Sequence, residues 1–189
     1  IGMDKHSSVV VSTKVVEGAK LFKESGAYDE RSNTLDYSVI INPKQETLLN
    51  GGKITLIDEL DYSNLDGKIV GVKVQDIKLY DYSNGVKGKE ITNLEDDWYS
   101  ESDLNNIHTL NINVYDETAY LLEYTYNFIY DGATLFDVSL INNVYIAGVN
   151  GAMWKDNVAS VITRYGSRAY AITDAYLLNI VKVDAGNTE

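Results

Sequence analysis

Hydrophobic and polar residues alternate along most of this chain with a period of two. That spacing places successive side chains on opposite faces of an extended strand. Leu35, Tyr37, Val39 and Ile41 form one apolar row; Leu110, Ile112 and Val114 form another, interleaved with Asn111, Asn113 and Tyr115. The pattern predicts strands over residues 8–16, 34–42, 52–60, 69–80, 107–115, 118–130, 134–147, 157–163 and 168–183. Val70, Val72, Val74 and Ile77 keep one face only if the register changes, so a bulge is expected in that strand. Turn chemistry falls between the segments at Asn50-Gly51-Gly52, Asp66-Gly67, Asn84-Gly85, Asp131-Gly132 and Asn150-Gly151. Two stretches lack clean alternation, 18–25 (GAKLFKES) and 93–106 (NLEDDWYSESDLNN), and read as short helices or loops. Many short strands and no long amphipathic helix predict an all-β chain built as a β-sandwich with short helical or loop insertions.

Three of the predicted strands carry a polar residue on the face that is otherwise apolar. Lys14 shares a side with Val10, Ser12 and Val16. Asp58 shares one with Ile54, Leu56 and Leu60, and Asn142 with Val138, Leu140, Val144 and Ile146. A lone buried Lys, Asp or Asn is costly, and bringing the three together offsets much of that cost. A lysine, an acid and an amide are also the ingredients of a Lys–Asn isopeptide bond. Burial favours the neutral amine, a carboxyl group whose pKa is raised by burial can stay protonated and donate a hydrogen bond to polarise the amide, and the fold holds the reactants in place. Such a reaction happens once and releases ammonia. The alternative is three unrelated polar residues at strand ends.

Composition narrows the field. The chain has 189 residues, 44% of them hydrophobic, enough for a substantial core without staples. It contains no cysteine, which removes disulfides and thiolate metal sites. The net charge of −12, with no Lys/Arg cluster, argues against nucleic acid and against an anionic membrane surface as partners. No apolar run approaches the ~20 residues of a membrane helix, so membrane insertion is not expected. Fifteen tyrosines against three phenylalanines suit strands that are apolar on one side and wet at the tip.

Other candidate chemistry is sparse. His6 and His108 have no acid–nucleophile or metal-ligand spacing and read as surface histidines, His108 in an Asn-rich loop. Asp61, Asp66, Asp81, Asp96, Asp97 and Asp103 do not follow the spaced ligands of a calcium loop and read as solvated acids, so neither a metal site nor a cofactor is expected. Trp98, Tyr99 and Trp154 lie in predicted loops. They are candidate ligand-binding aromatics that stack on a sugar or anchor a protein, or else they cap the ends of the sandwich core. No nucleophile elbow, phosphate loop or dinucleotide fingerprint is present, and an enzyme with turnover is not expected.

The segments around the polar trio resemble a known family. Residues 35–42 (LDYSVIIN) followed by 48–60 (LLNGGKITLIDEL) are similar to the adhesin domains of Gram-positive cell-wall-anchored proteins of the collagen-adhesin and fibrinogen-binding type. Residues 119–126 (AYLLEYTY) resemble that family's Tyr-rich late strand, and 142–148 (NNVYIAG) its closing strand, with Asn143-Val144 where Thr-Ala is usual. Residues 180–184 (IVKVD) look like the entry to a following Cna-B-like, pilin-type repeat. The resemblance implies an immunoglobulin-like sandwich, display outside the cell anchored to the cell wall, and an extracellular-matrix protein or glycan of the host as partner. It also implies an internal isopeptide bond assisted by Asp, with Lys14, Asp58 and Asn142 as the matching positions. Residues 1–184 are read as one domain, with 157–184 as extra strands or part of a second small lobe, and 185–189 as the start of a linker to a neighbouring Cna-B-like domain. The competing expectations are a carbohydrate-binding module of an exported protein and a pilus subunit; no pilin lysine motif or sorting signal is present, and the chain reads as a piece of a longer protein.

Overall fold

A computed structural model of the chain describes residues 20–29, 31–63, 69–130, 135–163, 172–177 and 181–182. They form β1 (Leu21–Asp29), β2 (Thr34–Ile41), β3 (Lys53–Asp61), β4 (Ile69–Asp81), β5 (Tyr99–Leu104), β6 (Ile107–Tyr115), β7 (Tyr120–Tyr130), β8 (Leu135–Ile146), β9 (Met153–Thr163), β10 (Ile172–Leu177) and β11 (Val181–Lys182). Two antiparallel sheets result, one of order β1-β2-β7-β4 and one of order β11-β10-β9-β8-β3-β6-β5. The chain is therefore an all-β sandwich of the immunoglobulin-like kind. β9 to β11 extend the larger sheet beyond β8.

The alternation read from the sequence sets the core. β2 buries Leu35, Tyr37, Val39 and Ile41; β3 buries Ile54, Leu56, Asp58 and Leu60; β6 buries His108, Leu110, Ile112 and Val114. From β7 come Leu122, Tyr124, Tyr126 and Phe128, and from β8 Val144 and Ile146. One cluster contains residues of both sheets, so the sheets close on each other through these rows. The expected register change lies in β4 between Gln75 and Lys78, where Asp76 takes a left-handed φ of 53°.

Four expectations are corrected. Residues 21–25, read as helix or loop, are strand β1, which pairs with β2 from Leu21↔Ile41 to Asp29↔Thr34. A register shift between Ser25 and Tyr28 breaks the alternation there and hides the strand from a period-two reading. Residues 99–104 form strand β5 rather than helix or loop. The acids of β5 are not merely solvated: Asp103 accepts from the Val72 amide at 3.0 Å and the Tyr62 hydroxyl at 2.6 Å, and Glu101 from the Val74 amide at 2.9 Å. They occupy the outer edge of β4, where unpaired amides would invite another strand. His108 lies on β6, fully buried, with Nε2 2.7 Å from Glu101. The predicted strand at 8–16, with His6, lies outside the described residues.

A buried carboxylate organises the long β2–β3 connection. Asp116, just after β6, accepts from the backbone amides of Leu48, Leu49, Asn50 and Gly51 at 2.8–3.1 Å and from that of Glu117 at 2.8 Å. Burial pushes its pKa up, but the amides of Leu48, Leu49, Gly51 and Glu117 more than offset this and bring it down to about 2. Gly51 sits at φ 81°, a conformation that suits glycine.

Candidate cross-linking site

Lys23, Asn142, Tyr124 and Tyr126 converge on Asp58 inside the core. β3 delivers this acid to the inner face of the larger sheet by simple parity, between Leu56 and Leu60. In register, Leu60 faces Asn142 of β8 and Asp58 faces Val144, so Asn142 is the diagonal neighbour of Asp58 on the same face. From the opposite sheet, β1 brings Lys23, whose register partner is Val39, and β7 brings Tyr124 and Tyr126. Lys23, Asp58 and Asn142 are each 0–1% exposed.

Four donors fill the carboxylate. Lys23 Nζ lies 2.9 Å from Oδ2, and the Tyr124 hydroxyl donates to the same oxygen. The Tyr126 hydroxyl donates to Oδ1 at 2.8 Å, and Asn142 Nδ2 donates to Oδ1 at 2.5 Å. An ionised carboxyl group has about four acceptor sites, so Asp58 is saturated. Asn142 Nδ2 also donates to the carbonyl of Glu59 at 3.0 Å, which fixes the amide so that its Oδ1 accepts from Lys23 Nζ. The amine lies over the Tyr37 ring, 3.9 Å from the centroid.

Burial alone would raise the Asp58 pKa. The Lys23 charge and the hydrogen bonds from Tyr124, Lys23 and Tyr126 outweigh burial, so the carboxyl is held below its ordinary range and is ionised, not the raised, protonated group expected from burial alone. The hydroxyls of Tyr124 and Tyr126 are pushed far above theirs, first by burial and then by the Asp58 charge, so they remain donors. The site is thus a buried ion pair in which one carboxylate touches both an amine and the nitrogen of an amide. Handing the proton from Nζ to Oδ2 would leave a neutral amine against the Asn142 carbonyl, without moving net charge into the core.

Of the residues expected from sequence, Asp58 and Asn142 meet in this site, and Lys14 lies outside the described residues. The lysine that the structure brings to them is Lys23, from the stretch read as helix or loop. Tyr124 and Tyr126 enter the sequence reading only as part of a Tyr-rich strand; their parity with Leu122 and Phe128 is the signal that places them in the core. The aromatic candidates fall on different elements. Trp98 is half-buried against the core, edge-on to Tyr99 with ring centroids 5.0 Å apart, beside Ile91, Leu94 and Tyr120. Trp154 is a strand residue of β9, opposite Val144, rather than a loop residue. β8, β3 and β6 separate its strand from that of Tyr99, about 19 Å at one strand spacing per step.

No protein-family model and no curated protein matches the sequence. Solved structures of similar fold include the major pilin SpaA of Corynebacterium diphtheriae, whose structure is described as pointing to a modular pilus assembly with stabilising isopeptide bonds. It is 9% identical at a TM-score of 0.49, over 75% of this chain and 39% of that one. The collagen-binding domain of a Staphylococcus aureus adhesin is 10% identical at a TM-score of 0.42, over 84% of this chain and 98% of the domain. The collagen-binding subdomain of the Enterococcus faecalis surface protein ACE is 14% identical at a TM-score of 0.39, over 75% of this chain and 95% of the subdomain. This chain thus spans about two fifths of the pilin and nearly all of the two collagen-binding domains. These likenesses to Gram-positive pilin and adhesin domains are at the level of fold.

Proposed function

We propose that this chain is a non-enzymatic bacterial surface domain, an adhesin or stalk module, braced by an isopeptide bond between Lys23 and Asn142. The observation that carries the reading is that Asp58 holds both the Lys23 amine and the Asn142 amide nitrogen inside the core, while the amide oxygen meets the amine. Asp58 Oδ2 takes a proton from Nζ. The freed lone pair attacks Cγ of Asn142, forming the Nζ–Cγ bond. A second Nζ proton passes through Asp58 to Nδ2, the Cγ–Nδ2 bond breaks, and ammonia leaves, carrying the first proton away as ammonium. Asp58 ends as it began, and no cofactor takes part.

The bond would tie β1 of one sheet to β8 of the other, so that the two layers cannot be pulled apart without breaking covalent bonds. A domain that bears load between a cell surface and its target gains from this, whereas a catalyst with turnover has no use for a core that reacts once. Display outside the cell on a cell-wall anchor, neighbouring Cna-B-like domains and an extracellular-matrix protein or glycan as partner belong to the same reading. They rest on the motif resemblance around Asp58 and Asn142, and collagen is the partner to test first. Intact-mass spectrometry of the purified protein tests the bond: the expected mass is lower than that of the sequence by one ammonia, with a digest that joins the Lys23 and Asn142 peptides. The unmodified mass would refute it.

A further inference from the structure

We propose that Tyr124 and Tyr126 are positioning residues of the cross-linking step, each fixing one oxygen of Asp58: Tyr124 the oxygen that faces the amine, Tyr126 the oxygen that faces the departing amide nitrogen. The inference rests on the isopeptide reading above. Its basis is geometric. Both hydroxyls end on the carboxylate, one on each oxygen, and both side chains are fully buried. A carboxyl group that must accept at Oδ2 and deliver at Oδ1 cannot rotate freely, and two hydroxyl donors anchored in β7 hold its plane. The rings are themselves locked: Tyr124 and Tyr126 meet edge-to-face with centroids 5.4 Å apart, Tyr37 packs on both, and the buried His108 ring stands edge-on to Tyr126 at 5.2 Å.

The tyrosines also solve a charge problem that the reaction creates. Once the bond has formed, the Lys23 cation is gone and ammonium has left. Asp58 then remains as an anion in the core with one new amide N–H and no cation beside it. Two hydroxyls that cannot ionise at neutral pH are the donors that remain. The same pair keeps Asp58 ionised before the reaction, ready to take a proton from Lys23, consistent with the lowered carboxyl pKa.

The test uses full-length chain collected unlinked from urea-solubilised inclusion bodies and refolded by dilution at a series of pH values, with cross-linking timed by intact mass. Tyr124→Phe and Tyr126→Phe keep the rings and remove one donor each. Each is expected to slow linking about tenfold, the worth of one hydrogen bond to a charged group. Each should also move the acid limb of the rate profile upward by roughly one pH unit, because a carboxyl group that has lost a donor protonates sooner. A merely structural tyrosine would lower the yield without moving that limb. If a Phe variant does not fold, 3-fluorotyrosine at the same position, a stronger donor of nearly the same shape, should move the limb downward. A linked wild type whose variants show an unmoved limb overturns this inference alone; an unlinked wild type overturns it together with the isopeptide reading.

Discussion

Replacing Lys23 by Met and Asp58 by Asn together should remove the covalent bond while leaving the core filled and uncharged. Met retains most of the lysine stem. The amide introduced at position 58 can accept from one of the two tyrosine hydroxyls through its oxygen and donate to the other through its nitrogen, so no charge is stranded. Exchange of a buried ion pair for neutral residues of similar volume is commonly neutral or mildly stabilising. The loss that remains is the bond itself. Lys23 and Asn142 are 119 positions apart, and closing a loop of that size restricts the unfolded chain by about 5 kcal/mol in the chain-entropy model used for disulfides. In a domain of this length each kcal/mol moves Tm by about 2–4 °C, so the double variant should melt roughly 10–20 °C below the wild type. Thermal unfolding followed by circular dichroism, with intact mass run on the same samples, measures both quantities. A wild type that is linked by mass yet melts within about 3 °C of the double variant would refute the claim that the bond is the brace. Asp58→Ala alone should cost more than the pair, because it strands the Lys23 charge in the core; a cost no larger than that of the double variant would show that Lys23 finds another partner.

Asp116→Asn should loosen the β2–β3 connection by about 1–3 kcal/mol, since a neutral amide cannot replace a carboxylate that accepts from five backbone amides. The folded pKa of about 2 lies below the ordinary 3.8, so the Asp116 contribution is present above pH 3.8 and lost as pH falls toward 2. Melting curves of wild type and variant should therefore converge across that window, and a difference that ignores pH would contradict the assignment. Glu101→Ala should lower stability by about 2 kcal/mol, leaving the Val74 amide and buried His108 without their acceptor; amide exchange at Val74 should rise, and unchanged protection would count against the edge-capping role. Trp98→Ala should cost about 2–3 kcal/mol through lost packing, measured by urea unfolding; a stability-neutral variant that loses binding on a glycan array would instead revive the sugar-stacking reading.

The sandwich and two members of the site were legible from parity alone, because a strand that is half-buried must repeat its apolar residues every second position. Asp58 and Asn142 stood out as interruptions of otherwise apolar rows, and burial of both follows from the same rule that buries Leu56 and Val144. Lys23 was not legible that way. Its strand is broken by the register shift after Ser25 and supplies only Leu21 before it on the buried face, so the Lys14 segment, with its valines, reads more clearly as a strand. Counting register from the turn does not find it either. β1 pairs with β2 from Asp29↔Thr34 onward, and the core face of β2 is set by Leu35, Tyr37, Val39 and Ile41. Running the antiparallel register back from Asp29↔Thr34 puts residue 23 opposite Ile40, off the core face; only the one-residue shift between Ser25 and Tyr28 brings it opposite Val39. Placing Lys23 therefore depends on where the bulge falls, which neither the periodicity of this strand nor the turn supplies. Tyr124 and Tyr126 show the converse. Their parity was plain, but tyrosine is expected on half-buried strands for its ring alone, and only the shared target of the two hydroxyls separates a packing residue from one that holds a carboxylate in place. The acidic segment 95–103 misled for a related reason: acids in a loop and acids capping the edge of a neighbouring strand have the same composition, and what distinguishes them is the free backbone amide at Val72 or Val74, which belongs to another part of the sequence.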